Sequence, residues 1–289
     1  MKYLSLFVLA VLLLMSFAAF AADKASKPIV LLTDFGTDDY RVPRLKGVIY
    51  SANPDADVID ATHGIGSVDI AAGAYVLGLT AAEFPKDVVF LAAVGAGATP
   101  DEKTLVMVNN KDQIFVLPDN GLITFVASTM GIKKAYAVTN ADLFDKPMAQ
   151  LASHQILGKV AAVIAGGYAL EKVGPAVASP VLLDIQKASS SNGILTGYVV
   201  FVDHYGSCLT NITKADAAAF NLNPGDKINI AVNGKQVTSI IGTRYGDVAV
   251  GEYISMVSSL EILQLSINKG SFAGTNGVKT GMKVEITKP

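Results

Sequence analysis

The 289 residues carry 23 basic and 25 acidic side chains, 51% hydrophobic residues and a single cysteine, Cys208. This mildly acidic balance gives no electrostatic reason to bind nucleic acid, and one cysteine excludes an internal disulfide, which leaves a buried thiol as the expectation. The apolar content suffices for a large core, the length suits one or two domains, and no zinc-ligand spacing, P-loop or GxSxG motif is present.

Lys2 precedes the apolar run LFVLAVLLLM, and small residues follow, with Ala19-Phe20-Ala21 in A-x-A order. Residues 1–22 therefore read as a secretory signal peptide cut near Ala21 or Ala22. The run is short for a membrane span. The expectation is a periplasmic or secreted protein, free of the membrane after cleavage, with 22 basic against 25 acidic side chains and a net charge of −3.

The first element of the mature chain is the apolar run 29–32, which stops at Thr33-Asp34-Phe35-Gly36. A short apolar run bounded by turn formers predicts a buried parallel strand. In open α/β sheets, ligands bind just beyond the carboxyl ends of such strands. Asp34 then has two readings. Its carboxylate can accept two hydrogen bonds from a vicinal diol such as a ribose, or it is a turn or cap residue. Thr37, Asp38 and Asp39 are candidate caps for a following helix.

Residues 58–60 predict a short strand, 69–80 a helix, and 88–94 a strand ending in the small-residue loop 95–99. Residues 104–108 and 113–117 suit a strand pair, and 122–130 and 150–165 suit helices. The alternation argues for α/β layers on a mainly parallel sheet, residues 23–187. The polar stretch 184–193 reads as a linker. Beyond it, 197–202, 227–232, 236–241, 255–265 and 283–286 predict short strands, with Asn233-Gly234 as a hairpin turn. A small all-β, barrel-like C-terminal domain, residues 188–289, is the expectation.

The opening TDFGTDD, Lys46-Gly47, Asn53-Pro54-Asp55, Asp60-Ala61-Thr62-His63, Asp69-Ile70 and the run from Pro118 to Leu122 form one series of motifs. Gly197-Tyr198-Val199-Val200, the run DHYGSCLTN from Asp203, Tyr245-Gly246-Asp247 and Gly251-Glu252 form a second. In order and spacing, over essentially the whole mature chain, they resemble the S-adenosyl-L-methionine (SAM) hydroxide adenosyltransferases, relatives of the fluorinating and chlorinating enzymes. The resemblance implies homotrimers with SAM between the N-terminal domain of one subunit and the C-terminal domain of the next. It implies attack of water or halide on the ribose C5′ with methionine leaving, SAM as substrate, and no cofactor or metal.

Carried over by position, the resemblance makes Asp34, with Phe35 beside it, the holder of the ribose hydroxyls. It sets Asp203 against the methionine amino group, Tyr205 at an aromatic position beside the ligand, and Ser207 where an asparagine is usual. Asn120 lies in the matched PDNG turn, where a plain turn role competes. The water-handling set of the family departs: Gly95 stands at its aspartate, Ala152 at its histidine and His154 at its arginine, with Lys103 the nearest cation to a second arginine. His154 is the candidate substitute base, and Ser153 matches a serine of the halide-using relatives. His63 reads as a structural hydrogen-bonding residue and His204 as solvent-facing. Two functions stay open: a SAM hydrolase with a degenerate water-activating set, or a non-catalytic periplasmic binder of SAM, adenosine or a related nucleoside.

Overall fold

The computed structural model describes residues 26–97 and 102–289. The expected leader, residues 1–22, and Ala98 and Thr99 of the small-residue loop lie outside the described residues.

The first sheet contains β1 (Ile29–Thr33), β2 (Val58–Thr62), β3 (Val89–Ala93), β4 (Thr104–Asn109), β5 (Ile114–Pro118) and β6 (Ile132–Ala137), in the spatial order β2-β1-β3-β5-β4-β6. The first four in that order run parallel, and β4 is antiparallel to both its neighbours. The sheet is thus mixed but mostly parallel, and the expected pairing of β4 with β5 is a hairpin. All five residues of β1 are buried because both faces are covered. Ile29 and Leu31 pack with Leu45 and Ile49 of α1 (Arg41–Ala52) and with Leu157 and Val160 of α4 (Ser153–Ala165). Val30 and Leu32 pack on the other face with Leu77 of α2 (Ile70–Glu83) and Val126 of α3 (Thr124–Met130). Two-sided burial is why the strand reads as an unbroken apolar run rather than an alternation. Each fully buried Leu or Ile contributes about 1.5–3 kcal/mol. Gly73 and Gly78 let α2 approach closely; a Cβ there would meet Leu122 Cδ1 and Phe125 Cβ, each at 2.9 Å.

From β1 the chain crosses through α1 to β2 on one side, then through α2 to β3 on the other. The sheet therefore has its topological switch point at the carboxyl ends of β1 and β3. A crevice forms there because the two connections diverge.

The second sheet holds β7 (Ser189–Ser191), β8 (Ile194–Val202), β9 (Cys208–Thr213), β10 (Lys227–Val232), β11 (Lys235–Ile241), β12 (Tyr253–Val257), β13 (Ile262–Ile267) and β14 (Lys283–Thr287). Pairing of β14 with β8 closes seven strands into a barrel, with β7 added alongside β8. Short helices α5 (Lys214–Ala219) and α6 (Phe272–Asn276) decorate it. Its core is aliphatic, including Ile228, Ile230, Leu263, Leu265, Val284 and Ile286, with Phe272 entering from α6. The two domains touch where Tyr75 of α2 stacks on Phe201 of β8, ring centroids 6.4 Å apart, while its edge meets Phe125 at 5.1 Å. Burial pushes the Tyr75 phenol up to about 12.

Several local expectations need correction. Residues 255–265 are not one strand but the hairpin of β12 and β13. Its turn contains neither Gly nor Asn and uses Glu261 at φ 58°, with the Glu261 N–H donating to the Ser258 carbonyl at 3.0 Å. The end of the supposed linker is β7, turned by Asn192-Gly193 with both φ positive, the same device as Asn233-Gly234. β6 carries Lys133 and Lys134 exposed and shows too little alternation to announce itself. The 150–165 helix begins only at Ser153, preceded by a separate 3-10 turn, Met148–Gln150. Of the three candidate caps only Asp39 acts on the first turn of α1, accepting the Arg41 N–H at 2.7 Å.

Candidate active site

The loop after β1 is pinned from beneath. Thr33 is buried; its Oγ1 accepts the Phe35 N–H and lies 2.9 Å from Nδ1 of His63. Nε2 of His63 lies 3.1 Å from Asp60, which in turn binds Lys46 at 2.7 Å. Burial works against ionisation of Asp60, but hydrogen bonds and charge from Lys46 and His63 outweigh it and hold the carboxyl below its ordinary range. The Gly36 N–H donates to the His63 carbonyl at 2.7 Å. His63 is thus a buried brace behind the loop.

Asp34 sits at the switch point. One carboxylate oxygen, Oδ2, accepts the N–H of Val68 at 2.9 Å and of Gly95 at 3.0 Å. It ties the end of β1 to the loop before α2 and to the loop after β3. The other oxygen, Oδ1, makes no hydrogen bond among the described residues. Asp34 lines an open cleft of about 310 Å³ together with Phe35, Arg41, Ser67, Val68 and residues 95–97. Val68 has φ 57°. A β-branched residue in the left-handed region is strained, and such strain persists where the surroundings over-determine it. Here it aims the Val68 N–H at Asp34.

The small-residue loop forms the far wall. Ser153 Oγ presses on Gly97, leaving no room for a Cβ there. The Gly97 N–H donates to Oε1 of Glu102 at 2.6 Å. Burial raises the Glu102 carboxyl above its ordinary range, and the Gly97 bond offsets only part of that rise. Ala152 is the N-cap residue of α4 and has no side chain to cap with; Gln155 Oε1 accepts its N–H at 2.9 Å. His154 does not enter the Asp34 cleft. It lines a separate groove between α1 and α4, where burial and then the charges of Arg44 and Arg41 hold its imidazole below the ordinary range.

The C-terminal domain carries a second cavity of about 710 Å³, lined by Tyr205, Ser207, Tyr245, Ile267, Asn268, Lys269, Gly270 and Ser271. Asp203 shapes its loop: Oδ1 accepts the N–H of Tyr205 at 3.0 Å and of Ser207 at 2.8 Å. That turn throws Tyr205 outward, 78% exposed, while Ser207 is buried. Tyr245 is steadied by Gln264, whose amide donates to its hydroxyl at 2.7 Å. Cys208, next along β9, is fully buried, and burial followed by the Asp203 charge pushes its thiol up to about 12. His204 is exposed, with its ring 5.6 Å from that of Tyr205.

The structure therefore gathers Asp34 and Phe35 in one cavity, with Ser153 packed behind Gly97 of its wall, and Tyr205 and Ser207 in another, with Asp203 bracing them. Asn120 lines neither. Its amide donates to the Val94 carbonyl at 3.0 Å and its oxygen accepts the Leu122 N–H, so it locks the turn to the end of β3. Sequence reasoning missed Arg41, Val68, Tyr245 and Asn268. Tyr245 was visible as part of a matched motif, but nothing local marked it as cavity-lining.

Residues 29–174 match the SAM hydroxide adenosyltransferase N-terminal domain, and residues 197–285 match the corresponding C-terminal domain. A fluorinase from Nocardia brasiliensis is 25% identical, aligning 90% of this chain with 97% of its own. An (R)-S-adenosyl-L-methionine hydrolase from Salinispora tropica is 29% identical over the same shares. The crystal structure of an uncharacterized conserved protein from Thermotoga maritima superposes with a TM-score of 0.83 at 31% identity, covering 90% of this chain and all of that one. The domain matches span most of the chain in the order the motifs predict, and the chain belongs to the SAM hydroxide adenosyltransferase family.

Proposed function

We propose that this protein binds SAM and cleaves it by attack of water on the ribose C5′, releasing adenosine and methionine, at a rate limited by a degenerate water-activating set. In this reaction the C5′–S bond breaks with its electron pair going to sulfur, the C5′–O bond forms, and the water proton leaves to solvent. The sulfonium is already a good leaving group, so positioning and desolvation carry most of the task. The observation that carries the reading is the free Oδ1 of Asp34, an anionic acceptor on braced backbone at the switch-point crevice.

The two cavities of one chain share no lining residue. One supplies an anionic acceptor and the other aromatic faces. A homotrimer that sets the Asp34 cleft of one subunit against the Tyr205 and Tyr245 cavity of the next would join them. In that arrangement Asp34 holds the ribose, and Asp203, Tyr205 and Ser207 hold the methionine end. The leader supports a periplasmic or secreted location.

A second reading, a binder without turnover, is favoured by Gly95 and Ala152 standing where the family has a carboxylate and an imidazole. Incubating purified mature protein with SAM, following binding by calorimetry and products by chromatography, decides between them. Adenosine and methionine in equal amounts support the hydrolase, whereas binding without products supports the binder. Light scattering that gave a monomer with full SAM affinity would sink the shared site.

A further inference from the structure

The groove that receives His154 lies outside the cleft and has its own chemistry. It measures about 480 Å³, within the range of small-molecule sites. Arg44 from α1, Lys159 from α4 and Lys146 from the intervening loop converge on it, and Asp145 is its single acidic lining residue. Val48, Leu143, Phe144 and Leu151 form an apolar wall. Among the described residues Arg44, Lys146 and Lys159 have no carboxylate partner, although the Arg44 guanidinium lies over the Tyr40 ring, 5.8 Å from its centroid. Nearby Arg41, by contrast, is paired with Asp39 at 2.6 Å. Nε2 of His154 is buried without a hydrogen-bond partner.

Cations gathered in a concavity without a carboxylate partner repel one another, and an oxyanion relieves that cost. A guanidinium presents a planar fork that fits phosphate or carboxylate, and lysines add point charges. We propose that the groove between α1 and α4 is a second ligand site, taking a small phosphate- or carboxylate-bearing molecule whose oxyanion sits among Arg44, Lys146 and Lys159 and whose body packs on Phe144 and Leu151.

The test is thermal unfolding of the mature protein in rising inorganic phosphate or malonate, against sodium chloride at matched ionic strength. Saturable stabilisation by one of the two oxyanions, absent with chloride, is expected, and which of them acts identifies the headgroup. The double variant Arg44→Gln/Lys146→Gln should weaken the apparent affinity at least tenfold, and Lys159→Gln severalfold. Both variants should keep their anion-free melting temperature and their affinity for adenosine, because these side chains are at the surface and do not line the Asp34 cleft. Equal shifts with chloride, or an undiminished shift in the double variant, overturn the proposal. So does a change in oligomeric mass of the variants, which would make the groove a contact between copies of this chain.

Discussion

The Asp34 cleft and the Tyr245 cavity are built by different physics. The cleft hangs on the backbone at the ends of two parallel strands, and its key group is a carboxylate whose position is set by N–H donors from two separate loops. The barrel cavity is a shelf of side chains from unconnected loops, with exposed tyrosines as its main surface. Strand ends at a switch point supply precise anchoring for a polar group, whereas barrel loops supply apolar area. An amphipathic nucleoside-like ligand bound as proposed would draw on both.

The largest expected effect breaks the contrast in chemistry by placing acid–base groups at the positions where the resemblance puts the family's. Gly95→Asp with Ala152→His should raise SAM hydrolysis by roughly 10²–10⁴-fold, and by more than the product of the single changes, since such groups act as a unit. The structure adds a condition. Gly95 has φ +62°, which aspartate tolerates better than most residues, but a Cβ there meets Val68 Cγ1 at 3.2 Å. Adding Val68→Ala should therefore improve the double variant. Single-turnover rates that stay at the wild-type level despite intact SAM binding would show a pocket closed to the attack geometry.

The next effect sharpens the anchoring half. In Asp34→Asn the amide oxygen can still accept both N–H groups, but the group at the Oδ1 position becomes a donor. Adenosine affinity should fall by about 1.5–3 kcal/mol, roughly 10–150-fold, with the melting temperature nearly kept. Asp34→Ala should lose both, because it also orphans the Val68 and Gly95 N–H groups. Calorimetry beside thermal unfolding separates the two; unchanged affinity in Asp34→Asn would reduce Asp34 to a brace. The barrel half responds more gently. Tyr245→Ala should weaken adenosine binding severalfold to about tenfold, the range of a lost aromatic contact of about 0.5–1.5 kcal/mol, and no change there would move the ligand off the shelf.

The same contrast explains what the sequence revealed. β1 and Asp34 were legible because a two-sided buried strand leaves an unbroken apolar run and the residue just past it must lie at the crevice. The closed barrel was legible only as a class. β12 and β13 merged in the reading because their turn holds Glu261 in a left-handed conformation with no glycine to mark it. β6 hid behind Lys133 and Lys134. The strain at Val68 and the meeting of Tyr205 with Asn268 are products of tertiary packing, and no local pattern encodes them. His154 was legible as a titratable candidate, but its direction was not: one helical position separates Ser153 behind the cleft wall from His154 in the groove.

The smallest expected effect tests whether the charged half carries a cost that the barrel half does not. Besides Asp34, Glu102 is the carboxylate bound to the small-residue loop among the described residues, and burial holds it above its ordinary range. A carboxyl with a raised folded value binds its proton more tightly in the native chain than in the unfolded one. As pH rises from the ordinary glutamate range through the folded value, the unfolded chain ionises first, so stability falls across that window and then levels. Glu102→Gln keeps an acceptor for the Gly97 N–H and removes the ionisation. Its melting temperature should match wild type in acid and exceed it slightly at neutral pH. Melting curves from pH 4 to 8 check this. A variant less stable than wild type at neutral pH would mean that the ionised Glu102 holds the loop together. The cleft would then be braced by two carboxylates, and its anchoring charge would belong to the loop as much as to Asp34.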